Sequence, residues 1–155
     1  MLQTTTATSV VGNSVRPSVR QRVKAYQNPE LIERFKQKLG LGHTDAELLF
    51  EDLKKFLYIA GTNRGSWPPP VAIDDAWHEF ILYTKDYRTF CLMMFDRMID
   101  HTPTSYFGPA EKLSARGTIN EARQTFGGLS ANWKGGASCT GSDGVPCSGT
   151  TNCQT

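Results

Sequence analysis

Asp74, His78, Cys91 and His101 are the residues whose types and spacing could do chemistry. They fall in one stretch, Ile73 to Pro103, which also holds Trp77 and Tyr87. Carboxylate, imidazole and thiolate make up a zinc-type donor set, and zinc prefers four of them in a tetrahedron. Asp74 and His78 are four residues apart, so on a helix they share a face about one turn, ~6 Å, apart. Tyr87 and Cys91 stand in the same relation. Thirteen residues separate His78 from Cys91, on the order of 20 Å along an unbroken helix. A shared site therefore requires the chain to turn. Thr84-Lys85-Asp86 offers the break, with Thr84 as an N-cap and Asp86 in a first turn. In the resulting antiparallel pair, His78 and Cys91 lie equally far from the turn and face each other. Asp74 lies one turn further out. His101 approaches Asp74 only if the second helix ends before it.

A plainer reading competes with the metal one. Asp74 then helps cap a helix after the prolines, His78 is a hydrogen-bonded core histidine, and Cys91 is a small buried hydrophobe. A thiolate–imidazole pair of Cys91 and His78 is a further chemistry. Phe90, Leu92 and Met94 around the cysteine argue against it, because burial raises a thiol pKa and makes the group inert. The spacing matches none of the short zinc motifs.

The elements that must position these residues are helical. Ser18 caps a short helix in which Val19, Val23 and Tyr26 recur at helical spacing. Asn28-Pro29 starts a second helix, striped by Leu31, Ile32, Phe35 and Leu39 and ended at Gly40. Thr44 and Glu47 have the form of a capping box opening a third, with Leu48, Leu49, Leu53, Phe56, Leu57 and Ala60 on one face. Residues 62–70, with three prolines, form a stiff connector that Trp67 packs back onto the helices. The central stretch follows. A short helix is expected over Ala110 to Leu113, and Thr118 with Glu121 forms a second capping box. No strand or hairpin signal is present. The fold expected is all-α, a small bundle of five to six helices around a central helical hairpin, over residues 18–127.

Residues 1–17 read as a flexible arm and 128–155 as a disordered Gly/Ser/Thr tail, too poor in apolar groups to offset its ordering cost. The tail carries Cys139, Cys147 and Cys153 at irregular spacing. The net charge of +2 gives no pull toward nucleic acid or an anionic membrane. No apolar run is long enough to span a bilayer. The N-terminus lacks the form of a secretory signal, which makes a cytoplasmic protein the expectation.

Asp74-x-x-Trp77-His78, then Tyr87-x-x-x-Cys91, then His101 resembles the glycine-rich domain protein family of plants and its bacterial and fungal relatives. The resemblance covers roughly Thr44 to His101. A proline often stands in that family where this chain has Thr84, which supports the break. Plant members often read Trp-His-x-His, and this chain has Phe80 at the second histidine. The chain is also much shorter than the plant proteins and lacks their later domains. The resemblance implies a fold and a cluster of residues rather than a reaction. Three functions stay open. The first is a non-catalytic binding or scaffold module for a protein or small ligand, with zinc or a buried polar knot at Asp74, His78, Cys91 and His101, supported by Trp77 and Tyr87. The second is a metal-dependent enzyme on the same cluster. The third is a carrier of a processed Cys-bearing peptide.

Overall fold

Ser18 opens the first helix with a complete capping box. Its Oγ accepts from the Gln21 amide at 3.2 Å, and its own amide donates to Gln21 Oε1 at 2.8 Å, satisfying two amides that the helix leaves unpaired. In a computed structural model, which describes residues 16–101 and 115–134, the described chain is all-helical. Its helices are α1 (Val19–Ala25), α2 (Pro29–Leu39), α3 (His43–Thr62), α4 (Val71–Leu82), α5 (Thr84–Phe95) and α6 (Ala115–Phe126), followed by a 3-10 turn at Ala131–Trp133. Asn28 caps α2 by accepting from the Leu31 amide, with Pro29 in the first turn and Gly40 closing the helix in the left-handed conformation, φ 67°.

The third helix is the axis of the bundle. It packs against each of the other five helices and the 3-10 turn. Leu49, Phe50, Leu53, Phe56, Leu57 and Ile59 are buried along it. Each fully buried side chain of this size contributes about 1.5–3 kcal/mol, so this helix anchors the core. Leu48, expected on the same face, is 43% exposed. The helix starts at His43 behind Gly42 and has no side-chain cap bond, so Thr44 lies inside the first turn and the expected capping box is not used. The same happens downstream. α6 begins at Ala115, three residues before Thr118, and Thr118 is buried on its inner face. A capping sequence acts only where the chain enters the helix, and here tertiary packing sets the entry points.

The central stretch does turn. Tyr83, at φ −83° and ψ 62°, separates α4 from α5. Thr84 is the first residue of α5 rather than its cap. The second helix ends at Asp96, which takes a left-handed conformation at φ 56°. Residues 96–101 then run on without regular structure, and this strap brings His101 back over α4.

The fold continues past Gly127. Ser130 donates to the fully buried Asp52 at 2.5 Å, and Asn132 Nδ2 donates to the same oxygen at 3.0 Å. Lys55 pairs with the other oxygen at 3.0 Å. Trp133 is 2% exposed and belongs to the core. Residues 129–134 therefore leave the stretch expected to be a tail, because one tryptophan and a satisfied buried carboxylate offset the ordering of a few polar residues. Residues 1–15, Ala110–Leu113, and the three tail thiols at Cys139, Cys147 and Cys153 lie outside the described residues. No helix among the described residues is long and apolar enough to cross a membrane.

Trp133→Ala should lower stability by about 3–5 kcal/mol, the usual cost of deleting a buried large aromatic. The urea midpoint of the full chain measures it. A midpoint unchanged from the parent protein would exclude the 3-10 turn from the fold.

Candidate metal centre at the mouth of a cleft

On α4 the residues Ile73, Ala76, Trp77 and Phe80 face the core and are buried. At ~100° per residue, the positions left on the other side include Asp74 and His78. Side-chain exposures of 30% for Asp74 and 52% for His78 agree with that geometry. The strap supplies His101, whose side chain is 17% exposed. Asp74 Oδ1 lies 3.0 Å from His101 Nε2, and Asp74 Oδ2 lies 3.7 Å from His78 Nδ1. The two imidazole centroids are 4.3 Å apart. One donor atom from each of the three residues falls within 4.8 Å of the others.

Cys91 stands apart from this group. It is completely buried in the core cluster, on the inward face of α5 that also carries Tyr87, Phe90 and Met94. Equal distance from the turn puts His78 and Cys91 at similar heights, but not on facing sides. His78 points to the rim and Cys91 to the interior. The neighbour that reaches inward from α4 is Trp77. Its indole Nε1 donates to the Tyr87 hydroxyl at 3.0 Å, and that hydroxyl donates to the Ile99 carbonyl at 2.5 Å. Cys91 packs in the same core cluster as Tyr87 and Ile99. Trp77 also lies against His101, with ring centroids 4.6 Å apart. The expected cluster thus divides into two sets. Asp74, His78 and His101 present donors to the outside. Trp77 and Tyr87 hold the strap that carries His101, and Cys91 packs with them in the core.

A second anchor holds the same strap. Arg97 Nη2 donates to the carbonyls of Ala60, Gly61 and Asn63 at 2.8, 3.2 and 3.3 Å. These carbonyls sit at the end of α3, where a helix leaves acceptors unpaired and favours a cation. Gly61 is required beside it. A Cβ there would stand 2.6 Å from the Phe95 ring, well inside van der Waals contact.

The three donors open onto a cleft of about 860 Å³, within the size range of small-molecule sites. Its walls include Trp67, Pro68 and Pro69 of the connector, Trp77 of α4, and Arg97, Ile99 and Asp100 of the strap. Arg64 also lines it. Arg64 and Arg97 carry no metal-ligand or catalytic signature in the sequence, and Asp100 and Ile99 acquire their places only through the strap. Trp67 is partly buried against the core, as its expected packing role requires.

The chain belongs to the UCP032817-like family, whose model matches residues 19–122. The matched span covers all of α1 to α5 and the three donors. No curated protein and no solved structure matches the chain.

Burial pushes the Cys91 thiol above its ordinary range. It also pushes Tyr87 far above the usual tyrosine range, with Cys91 alongside adding to the shift. The unfolded chain releases these protons near pH ~8.5 for Cys and ~10 for Tyr, while the folded chain still holds them. Above pH ~8.5 the unfolded state binds fewer protons, so stability falls as pH rises. Urea midpoints at pH 7.5 and 10 should show that fall, and Cys91→Ala should flatten its early part. An equal fall in the variant would contradict the shift. In the native protein at pH 8, Cys91 should resist alkylation in peptide mapping and react once the chain is unfolded.

Proposed function

We propose that this member of the UCP032817-like family is a small-ligand binding module built around one divalent metal, zinc, held by Asp74, His78 and His101. The observation that carries the reading is the convergence of those three donors, within 4.8 Å of one another, at the mouth of a cleft. A tetrahedral zinc with bonds of ~2.1 Å holds its ligand atoms ~3.4 Å apart. His101 Nε2 is 3.0 Å from Asp74 Oδ1 and His78 Nδ1 is 3.7 Å from Asp74 Oδ2; with one donor atom from each residue, the three lie within 4.8 Å of one another, so a bound ion would draw them slightly closer. Two imidazoles and a carboxylate are donors that zinc accepts.

The number of donors decides what kind of site it would be. A structural zinc takes four protein ligands in a closed shell, and three ligands leave a position for water or a ligand. Cys91 is turned into the core and the three donors line the cleft, which supports a fourth position open to it. This favours a binding site with an open position over a closed structural metal. The resemblance to the glycine-rich domain proteins fits the same division. The Asp–Trp–His, Tyr–Cys and His pattern would supply three donors and the groups that hold the strap.

The open position also supports a second reading as a metal-dependent enzyme, since a zinc-bound water at such a position has its pKa lowered to about 7. A third rests on the 3.0 Å contact of Asp74 with His101, which a metal-free hydrogen-bonded knot explains equally well.

Elemental analysis of the full chain purified without added metal separates these. The expected result is about one zinc per chain, lost in Asp74→Ala and His101→Ala and kept in Cys91→Ala. Tyr87→Phe should weaken zinc binding about 10–100-fold, the usual cost of removing a group that orients a ligand. Metal-free parent protein would leave the hydrogen-bonded knot. Zinc that disappears in Cys91→Ala while the fold persists would restore the cysteine to the ligand set. Turnover of p-nitrophenyl acetate by the zinc-loaded chain, abolished in Asp74→Ala, would move the reading to the enzyme.

A further inference from the structure

We infer that the cleft takes a small organic oxyanion, a carboxylate or a phosphate monoester on a flat apolar body; the inference rests on the metal reading of the Asp74, His78 and His101 cluster. Charge selects the ligand class. Arg64 and Arg97 line the cleft with Asp74 and Asp100, so its fixed charges balance. A divalent ion on the three donors turns that balance positive, and the histidines add none while neutral. A ligand that fills the fourth position meets a cation at one end, and oxyanions are the ligands that zinc and guanidinium share.

The two arginines are not equivalent. Arg97 spends Nη2 on the three carbonyls at the end of α3 and holds the strap. Arg64 is exposed and, among the described residues, has no hydrogen bond or ion pair. It lies on the connector directly after α3, at the cleft wall, with its planar five-donor fork free. A guanidinium of that kind binds carboxylate or phosphate through two parallel bonds.

The rest of the wall sets the body of the ligand. Trp67, Pro68 and Pro69 of the connector line it, and Trp77 adds only the 4% of its surface left exposed. An apolar wall of this kind beside a few convergent polar groups is the usual make-up of a small-molecule pocket. It selects a ring-bearing or otherwise flat ligand over a bare inorganic ion. The oxyanion is thus placed at the metal and Arg64, and the body against Trp67 and the two prolines.

The test uses the zinc-loaded full chain with tryptophan fluorescence as readout. Phenyl phosphate, benzoate, inorganic phosphate and benzyl alcohol are titrated in parallel. Phenyl phosphate or benzoate should bind at least 10-fold more tightly than both inorganic phosphate and benzyl alcohol. Which of the two binds better identifies the oxyanion. Arg64→Ala should weaken that binding about 10-fold with zinc still at one per chain, and Arg64→Lys should recover part of the loss. Circular dichroism of both variants checks the fold, and Arg64→Gln replaces the alanine variant if it is unfolded. Benzyl alcohol binding as tightly as the anions overturns the inference. So does binding unaffected by loss of the Arg64 charge, or no binding by zinc-loaded protein. Inorganic phosphate matching phenyl phosphate overturns the role of the tryptophan wall. Parent protein without zinc defeats the metal reading itself, and metal content measured on the same sample tells the two failures apart.

Discussion

The Tyr87 hydroxyl is the contact on which the site depends. It accepts from the Trp77 indole on α4 and donates to the Ile99 carbonyl on the strap, with its own ring on α5. One oxygen therefore ties both arms of the helical hairpin to the segment that follows them. The hydroxyl is buried, so its partners are not replaceable by water. An unpaired buried polar group costs about 1–3 kcal/mol, and that cost defines the position of Ile99. His101 is only two residues further on, and its ring rests on Trp77. The placement of His101 beside Asp74 is thus inherited from a hydrogen bond that neither residue makes.

Burial and exposure split the work along α4. The inward set of Ile73, Trp77 and Phe80 fixes the helix in the core, with Trp77 edge-on to Phe56 of α3 at 5.0 Å. The outward set of Asp74 and His78 is then rigidly displayed without being desolvated. Polar groups at a rim keep enough water to avoid the large penalty of burying a charge. They are still held by a helix, which positions side chains more closely than a loop does. Arg97 serves the non-helical side of the site in the same spirit. Three carbonyls at the C-terminal end of α3, the last from its cap Asn63, hold its guanidinium, so the strap is pinned at both its start and its middle.

The fold class was legible because helical periodicity is strong through every described helix except the last short turn. Asn28-Pro29, Ser18 and Gly40 acted as their types predict, since each stands at a real chain entry or exit. Thr44 and Thr118 did not, because helices α3 and α6 begin earlier. The pairing of Asp74 with His101 was accessible only as a condition, that α5 end before His101, and Asp96 meets it with a left-handed residue. The inward turn of Cys91 was harder. Spacing from the turn fixes height along a hairpin, but the rotation of each helix is set by which residues the core takes. Trp133 was hidden by its context, one aromatic among Gly, Ser and Asn, and its neighbour Asn132 bonds a carboxylate eighty residues away in sequence, Asp52.

Removing Cys91 from the donor set changes the chemistry as well as the count. A thiolate is a soft, charge-donating ligand, and a closed site containing it would neutralise the ion and shield it. Two neutral imidazoles and one carboxylate leave a divalent ion with a net positive charge and a free position. The buried thiol takes another role, as part of the core packing that includes Tyr87 and Ile99. The same six residues, Asp74, Trp77, His78, Tyr87, Cys91 and His101, therefore form one unit whose two halves fail differently. Loss of a donor would remove the charge that a bound metal would give the cleft, and the three donors lie outside the core cluster that holds the bundle. Loss of Tyr87 leaves every donor in the sequence and releases the strap that brings the third one to the other two.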